Sequence, residues 1–328
     1  KATGMRTVIL TCTLGLQEQY LRDFAEIGLV DIRGKRNYDC GATDTNCQYG
    51  KIEGCPYFKG DSPTLDCNYG DARNTAVWSP LVISNYAYWI RANEKSRGFE
   101  PAPTVGSNPV EMLILDEAHR ASEELSKTLQ VQLRESLLKR LRIDFRRTDD
   151  VDSWRDWALE VESTIRVMRS EAAQVFRLKR TKAHRDTLYD LEHLIELVEK
   201  LQEVNSEAWV CESREQNIAD KRFAGKMWVF DPIWPADHAW KLFRGVPKVV
   251  LMSATLRPIA ARMLGIPRNQ YSFRDWPRVF PAQRTPILHI PTVRLNHLAT
   301  EDDLHLWVER IDEIISYRLD RKGIIHTV

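Results

Sequence analysis

Residues 112–119 have the sequence MLILDEAH, in which four apolar residues are followed directly by Asp116, Glu117, Ala118 and His119. Short apolar runs that end in polar residues are typical of the buried strands of parallel sheets, which are covered on both faces. Open α/β sheets bind their ligands beyond the carboxyl ends of such strands. The stretch therefore predicts an α/β fold that places two carboxylates at a ligand-binding edge.

Three other segments share this pattern and predict further central strands. They are residues 8–12 (VILTC), 81–84 (LVIS) and 249–252 (VVLM). The first leads into a helical pattern from Leu16 to Ile27, and the last leads into Ser253, Ala254 and Thr255. We therefore expect polar chemistry at the ends of several strands of one sheet.

The composition is that of a soluble globular protein with more than one domain. The chain has 328 residues, 43% hydrophobic and 28% charged, and exceeds the roughly 100 to 200 residues of one domain. Its formal net charge is +1, so a nucleic-acid contact requires a local basic surface. No apolar run approaches the ~20 residues that span a bilayer, and no signal peptide is recognisable. We expect no membrane contact and a cytoplasmic location, or a nuclear one in a eukaryote.

A segment of roughly a hundred residues between the third and fourth strands has helical periodicity, and its length is that of a domain. Apolar residues recur at helical spacing over 125–141, 154–168 and 188–201, which predicts long helices packed as antiparallel hairpins. The basic run at 177–185 is interpreted as a solvated face, with phosphate contact as the alternative. Beyond Thr255, a helix over 302–319 and a strand over 323–328 are expected to open another α/β domain.

Four of the six cysteines, Cys40, Cys47, Cys55 and Cys67, fall within one 28-residue window. The surrounding segment, 34–69, is rich in Gly, Asp and Asn and lacks the periodicity of an apolar core. In a reducing compartment such clustering indicates metal rather than disulfides. The spacing lacks the paired C-x2-C of zinc ribbons, which leaves an iron cluster and an irregular zinc site as the alternatives. Cys12 is expected to be a buried strand residue and Cys211 a free helical or loop thiol.

The two carboxylates suit a metal–nucleotide site. In phosphoryl-transfer enzymes an aspartate at this position holds Mg²⁺, and an adjacent carboxylate orients or deprotonates the attacking water. Asp116 would take the first role and Glu117 the second. The alternative is a structural role for both residues, as a helix N-cap and a first-turn acid.

The tetrad at 116–119 resembles the Walker B motif of the DEAH helicases of superfamily 2. Other segments resemble motifs of that family in the same order, namely residues 11–19 (TCTLGLQEQ, motif Ia), 82–86 (VISNY, the stretch ahead of the DEAH strand) and 253–255 (SAT, motif III). The four cysteines lie where the XPD and DinG helicases carry a 4Fe-4S domain. Over nearly its whole length the chain therefore resembles these iron–sulfur DNA helicases.

The resemblance implies an ATP-dependent helicase or translocase that moves 5′ to 3′ on single-stranded or forked DNA. It implies catalytic roles at a Mg²⁺–ATP site for Asp116, Glu117 and His119, with Asp116 on Mg²⁺. It also implies that Ser253, Ala254 and Thr255 couple this site to DNA, and that Cys40, Cys47, Cys55 and Cys67 hold a 4Fe-4S cluster. The implied DNA contacts are Thr11, Thr13, Gln17, Arg33, Lys35, Arg36, Tyr38, Asn85 and Tyr86.

General chemistry supports some of these contacts. Hydroxyls and amides at a helix N-terminus suit phosphates, as Thr11 and Thr13 would be placed. Cations beside an aromatic ring suit a single strand, although the loop over 33–38 also fits a solvated basic loop.

The resemblance further implies a RecA-like parallel sheet of the P-loop NTPase type, with an inserted Fe–S cluster domain and an inserted all-helical arch domain, followed by the start of a second RecA-like domain. The expected boundaries are 1–33, 71–120 and 226–270 for the first RecA-like domain, 34–70 for the cluster domain, 121–225 for the arch and 271–328 for the second RecA-like domain. Protein partners, if any, are expected at the arch.

One element of an ATPase is missing from the sequence. No G-x-x-x-x-G-K followed by Ser or Thr occurs, so the loop that cradles the β- and γ-phosphates is absent. We expect the chain to be a fragment of a protein that hydrolyses ATP, and to hydrolyse little by itself. The rival interpretations are a non-catalytic nucleic-acid-binding protein with a helicase-like fold and a zinc-stabilised interaction module.

Overall fold

The computed structural model describes residues 4–41, 45–53, 55, 58–59, 62–63, 67–95, 99, 108–216, 225–277, 281, 289–296, 299–320 and 325. The chain divides into two compact units, Lys1–Ser272 and Phe273–Val328. No helix in the described ranges is both long enough and apolar enough to cross a membrane.

A five-stranded parallel sheet organises the first unit. In spatial order its strands are β10 (Lys248–Leu251), β6 (Met112–Leu115), β1 (Thr7–Thr11), β5 (Leu81–Asn85) and β2 (Val30–Asp31). Leu115 lies opposite Leu10 on one side and Leu251 on the other, so the carboxyl ends of three strands are level. The predicted α/β fold with a parallel sheet is confirmed.

Both faces of the sheet carry apolar side chains because its central strands have apolar residues at alternating and consecutive positions. On one face Ile9, Ile83 and Leu29 form a small core with residues of helix α1 (Leu14–Asp23). On the other face Val8 and Leu113 belong to the main core. The remaining helices of this part are α2 (Cys47–Glu53), α3 (Asn68–Trp78), α4 (Tyr86–Lys95), α5 (Ala121–Leu129), α9 (Trp240–Phe243) and α10 (Ile259–Met263).

The insertion contains a second sheet, so the prediction of an all-helical arch is wrong. Its antiparallel strands, in the order β7-β9-β8, are β7 (Val131–Arg134), β8 (Trp209–Gln216) and β9 (Gly225–Pro232). Its helices are α6 (Glu135–Leu141), α7 (Val151–Lys179) and α8 (Lys182–Gln202). Helices α7 and α8 pack together as the predicted hairpin, and the Trp154 ring of α7 contacts those of Trp228 and Phe230 in the sheet.

The error has a simple geometric cause. Leucines at every fourth position from 125 to 141 predict one helix face, but a spacing of four also fits the period of two in a strand. Helix α5 ends at Leu129, and β7 follows with alternating buried and exposed residues that include Leu133. Cys211, expected in a helix or loop, lies in β8. Cys12 follows the end of β1 and is partly exposed.

In the described part of the cysteine segment, regular structure consists of short elements such as α2. Residues Phe58–Lys59 (β3) and Ser62–Pro63 (β4) form a two-stranded antiparallel pair. Helix α2 packs against α8 of the insertion, and Glu53 forms an ion pair with Arg185 at 2.7 Å. One member of the basic run at 177–185 is therefore a structural residue.

In the second unit, α11 (Glu301–Ser316) corresponds to the helix predicted over 302–319. Its start is fixed by a capping box, in which Thr300 accepts from the Asp303 amide and the Asp303 carboxylate accepts from the Thr300 amide. None of its residues is buried, and its apolar residues Leu304 and Val308 are exposed. The strand predicted over 323–328 lies outside the described residues except for Ile325.

Candidate nucleotide and nucleic-acid site

The carboxyl edge of the sheet holds the residues that follow β6 close to those that follow β10. The Asp116 amide donates to the Leu10 carbonyl at 2.9 Å, which extends the ladder with β1 by one residue. The Ala118 amide donates to the Met252 carbonyl at 3.0 Å. Asp116 and Glu117 are therefore held at the strand ends by backbone hydrogen bonds on both sides.

Asp116 is buried and its carboxylate is fixed by two donors. Its Oδ1 accepts from the Glu117 amide at 2.9 Å, and its Oδ2 accepts from the Tyr20 hydroxyl at 3.0 Å. The Tyr86 hydroxyl donates to the Asp116 backbone carbonyl at 2.9 Å. Burial, with the nearby Asp116 charge, raises the pKa of Tyr20 to about 12, so the phenol remains a donor at neutral pH.

Tyr20 is a site residue that the sequence pattern did not reveal. In the structure Tyr20 lies on the side of α1 that packs against the small core. Tyr20 and Asp116 are 96 positions apart in the chain. The Tyr20 hydroxyl reaches Asp116 because β1, which precedes α1, is paired with β6, which precedes Asp116. No local signal in the sequence reports that neighbourhood.

Glu117 has a left-handed backbone, with φ of +50° and ψ of +41°. A glutamate in this region is uncommon and costs free energy that the surrounding structure must offset. Its side chain is 41% exposed and makes no helix-capping hydrogen bond. Its Oε2 instead accepts from the Ser253 hydroxyl at 2.9 Å. The Glu117 side chain therefore bonds a residue that follows the neighbouring strand and does not cap a helix.

The Ser253 hydroxyl connects the two motifs. Its single hydrogen is donated to Glu117, and its oxygen accepts from the Thr255 amide at 3.2 Å. It also lies 2.8 Å from Nδ1 of His119, which must carry the proton because the hydroxyl hydrogen is already used. His119 Nδ1 is 3.3 Å from Glu117 Oε2. Ala254 occupies the exposed turn between Ser253 and Thr255.

Three of the predicted DNA contacts are interior residues. Thr11, Gln17 and Tyr86 are fully buried or nearly so. The Thr11 hydroxyl donates to the Thr13 carbonyl at 3.3 Å, and Gln17 Nε2 donates to the Ile32 carbonyl at 3.3 Å. These side chains hold the strand ends together, and in this structure none of them presents a polar group to a ligand in solvent.

Thr13 and Asn85 lie at the same edge of the sheet and cap helices. Thr13 Oγ1 accepts from the Leu16 amide at 3.2 Å at the start of α1, and Asn85 Oδ1 accepts from the Tyr88 amide at 2.8 Å at the start of α4. Strands β1 and β5 are paired, with Thr11 opposite Asn85. The N-termini of α1 and α4 are thus neighbours, each with amides that suit a phosphate.

The basic loop at 33–38 is engaged with the protein itself. Arg33 forms ion pairs with Asp31 at 2.7 Å and Glu18 at 3.1 Å, and its side chain is only 20% exposed. Lys35 Nζ lies 5.7 Å from the centroid of the Tyr69 ring, and Arg36 bonds Gln48. The Tyr38 hydroxyl accepts from the Arg33 amide at 3.1 Å. DNA contact by this loop stays a prediction.

The cysteine sulfurs lie in one neighbourhood. Cys40 Sγ and Cys55 Sγ are 3.9 Å apart, and Cys67 Sγ accepts from the Gly70 amide at 3.1 Å. Burial, opposed by Lys35 and reinforced by the three other cysteines, raises the pKa of the Cys47 thiol to about 11. A Cβ at Gly50 would lie 3.3 Å from Cys55 Cβ, so a glycine there keeps the cysteines close together.

Four cysteines in one segment are a donor set whose chemistry suits a thiolate-bound metal centre. Among the described residues, no three His, Cys, Asp or Glu side chains are arranged as a closed metal site. The 3.9 Å sulfur separation matches the ~3.8 Å edge of a tetrahedron with Zn–S bonds of ~2.3 Å. A 4Fe-4S cluster binds each thiolate through a different iron, so it requires Cys40 and Cys55 to move apart.

No protein-family profile matches this chain, and no curated protein matches it at a significant level of similarity. Chemically, the sheet edge combines a buried carboxylate, an exposed carboxylate, a histidine and two hydroxyls. Such a set can hold a divalent cation and orient a water molecule.

Proposed function

We propose that this chain is part of an ATP-dependent helicase or translocase that moves along single-stranded DNA, of the XPD and DinG type. The observation that carries the proposal is the hydrogen bonding of Ser253 to Glu117 and His119. A DEAH motif and a Ser-Ala-Thr motif, far apart in sequence, share one hydroxyl at the carboxyl edge of a parallel sheet. That edge is where open α/β sheets bind their ligands.

The parallel sheet supports a RecA-like fold of the P-loop NTPase type as the finer fold class. In this proposal Asp116 holds Mg²⁺, which neutralises charge on the nucleotide phosphates. The Tyr20 hydrogen bond and the Glu117 amide fix the orientation of that carboxylate. Glu117, more exposed than Asp116, orients the attacking water and takes its proton. His119 holds the Ser253 hydroxyl in position.

Coupling to DNA is proposed to run through Ser253 and Thr255. A change in the position of Glu117 during hydrolysis would break or remake its hydrogen bond with Ser253, and the Thr255 amide would follow because it donates to the same oxygen. Thr13 and Asn85 supply DNA contacts in this proposal, since helix N-termini at the same edge can bind successive phosphates.

Cys40, Cys47, Cys55 and Cys67 are proposed to hold a 4Fe-4S cluster. The cluster would supply cohesion to a segment that has little apolar core. A zinc ion is the second candidate, favoured by the 3.9 Å separation of the Cys40 and Cys55 sulfurs. Cys12 and Cys211 are not proposed as ligands.

The proposal is tested by strand displacement with the full-length protein. Forked DNA with a labelled strand is offered with either a free 5′ tail or a free 3′ tail, with and without ATP. We expect displacement that requires ATP and the 5′ tail. Binding without displacement on either substrate would support a non-catalytic nucleic-acid-binding protein instead. The 328-residue chain, which contains no G-x-x-x-x-G-K followed by Ser or Thr, is expected to displace little.

A further inference from the structure

Residues 233–272 carry a local excess of positive charge in a chain that is otherwise balanced. The whole chain has 47 basic and 46 acidic residues, whereas this segment has a single acidic residue, Asp237. Its basic residues are Lys241, Arg244, Lys248, Arg257, Arg262 and Arg268. Such a local excess is what a near-neutral protein needs in order to bind a polyanion.

Three of these arginines are exposed and unpaired. Within the described part of the chain, the guanidinium groups of Arg244, Arg257 and Arg262 form no ion pair with a carboxylate. Arginines of the helical hairpin differ, since Arg166 and Arg169 both pair with glutamates of α8. An ordinary solvated face usually carries such compensating pairs. The basic segment therefore keeps its positive charge available to a ligand.

Two tryptophan rings stand out of the same segment. Trp234 is 67% exposed and Trp240 is 61% exposed, on either side of the short 3-10 turn Pro235–His238. Lys241 Nζ lies 5.6 Å from the Trp240 ring centroid, and Lys241 is paired with Glu94 at 2.7 Å. Exposed aromatic rings are the groups on which unpaired bases stack.

The tryptophan segment and the arginine-bearing helix are neighbours. The 3-10 turn contacts both α9 and α10. A Cβ built on Gly265, just after α10, would lie 3.4 Å from Ala236 Cβ in the turn. Arg262 belongs to α10, and Arg244 follows α9 directly. All of these residues belong to the first compact unit.

We infer that Trp234, Trp240, Arg244, Arg257 and Arg262 form a surface that binds single-stranded nucleic acid. We call it the tryptophan–arginine surface. The rings would stack on bases of any sequence, and the guanidinium groups would contact phosphates. A protein partner fits this surface less well, because the core of a protein–protein interface is depleted of charged groups. Here unpaired cations lie in elements adjacent to the rings. The inference does not depend on nucleotide hydrolysis at the DEAH residues.

The test measures the binding of fluorescently labelled oligothymidylate and oligouridylate by anisotropy, without nucleotide. Trp234→Ala/Trp240→Ala is expected to weaken binding at least tenfold, since stacking contributes substantially for each base. Arg244→Glu/Arg262→Glu is expected to weaken binding and to reduce the slope of log affinity against log salt by about 0.7 for each lost phosphate contact. The matched controls are Trp78→Ala and Arg214→Glu, both at exposed positions elsewhere, which should bind as the wild type does.

Two outcomes would overturn the inference. One is unchanged affinity in both double variants, which would leave the surface to another partner such as a protein. The other is the absence of oligonucleotide binding by the wild type. The arginine variants keep the test decisive if loss of the tryptophans unfolds the chain, because their side chains are at the surface. The measurement contains no nucleotide, so a failed ATPase proposal and a failed surface remain distinguishable. A preference between the two oligonucleotides identifies DNA or RNA as the ligand.

Discussion

The Ser253 hydroxyl donates a hydrogen bond to Glu117 Oε2 at 2.9 Å, although the two residues are 136 positions apart in the chain. Strands β6 and β10 are paired in the sheet, so the residues that follow them meet at its edge. The insertion separates the two strands in sequence without disturbing this pairing. A shared hydroxyl allows one motif to respond to movement of the other.

Ser253→Ala removes the hydroxyl that connects the motifs. Glu117 loses a donor and His119 loses a partner, while Asp116 keeps both of its own. In the full-length protein we expect the DNA-stimulated rate of ATP hydrolysis to fall about tenfold, the value of a hydrogen bond to a charged group. The basal rate should change less. Ser253→Thr, which retains a hydroxyl, should recover part of the stimulation, and an equal loss in both rates would argue against a coupling role.

Tyr20→Phe removes the phenol that donates to Asp116. We expect the free energy of unfolding to fall by about 1–2 kcal/mol at pH 7, because a buried carboxylate loses a hydrogen bond. The pKa of Tyr20 is raised in the folded protein from its ordinary value of 10 to about 12. The advantage of wild type over Tyr20→Phe is therefore complete below about pH 10 and declines as the pH rises towards 12. Denaturant titrations across pH measure both effects, and a pH-independent difference would refute this account.

The metal content of anaerobically purified protein distinguishes the two candidates at the cysteines. A 4Fe-4S cluster predicts brown protein with about four irons per chain, whereas one tetrahedral site predicts colourless protein with one zinc. Replacing Cys40 or Cys55 with serine should abolish metal retention. The matched controls are Cys12→Ser and Cys211→Ser, which should retain the metal. Wild-type protein that contains neither iron nor zinc would contradict the proposal of a metal centre at these cysteines.

Trp154→Ala should destabilise the insertion. Trp154 is fully buried, its ring contacts those of Trp157 and Trp228, and its indole nitrogen donates to the Thr148 carbonyl at 2.8 Å. Removing a buried tryptophan costs about 3–5 kcal/mol. Chemical denaturation should show this loss, whereas Leu159→Ala on the exposed side of α7 should change stability by less than about 1 kcal/mol. Equal effects of the two substitutions would contradict the packing described here.

The strands of the main sheet were predictable because each is a short apolar run that polar residues terminate. The run predicted over 112–115 coincides with β6, and those near β1, β5 and β10 differ from the structure by about one residue. Their parallel arrangement followed from the same pattern. The antiparallel sheet of the insertion was not predictable from the leucine spacing. A leucine at every fourth position fits one long helix, and it fits equally well the succession of α5, β7 and α6 that the structure shows.

The site was predictable in part. Asp116, Glu117, His119 and Ser253 converge as their positions at strand ends indicate. The burial of Thr11, Gln17 and Tyr86 was not predictable, because polar residues in a motif can face either the ligand or the protein's own carbonyl groups. Tyr20 and the exposed tryptophans were missed for a related reason, since exposure and partners depend on tertiary neighbours.

The rate of ATP hydrolysis by the full-length protein, with and without single-stranded DNA, tests the central claim most directly. We predict DNA-stimulated hydrolysis in wild type and a loss of about 10²- to 10⁴-fold in Glu117→Gln, since a general base contributes about that much. Glu123→Gln, whose carboxylate pairs with Lys127 on the exposed side of α5, is the matched control and should retain the wild-type rate. Wild-type protein that does not hydrolyse ATP, or a Glu117→Gln variant that hydrolyses it at the wild-type rate, would contradict the account.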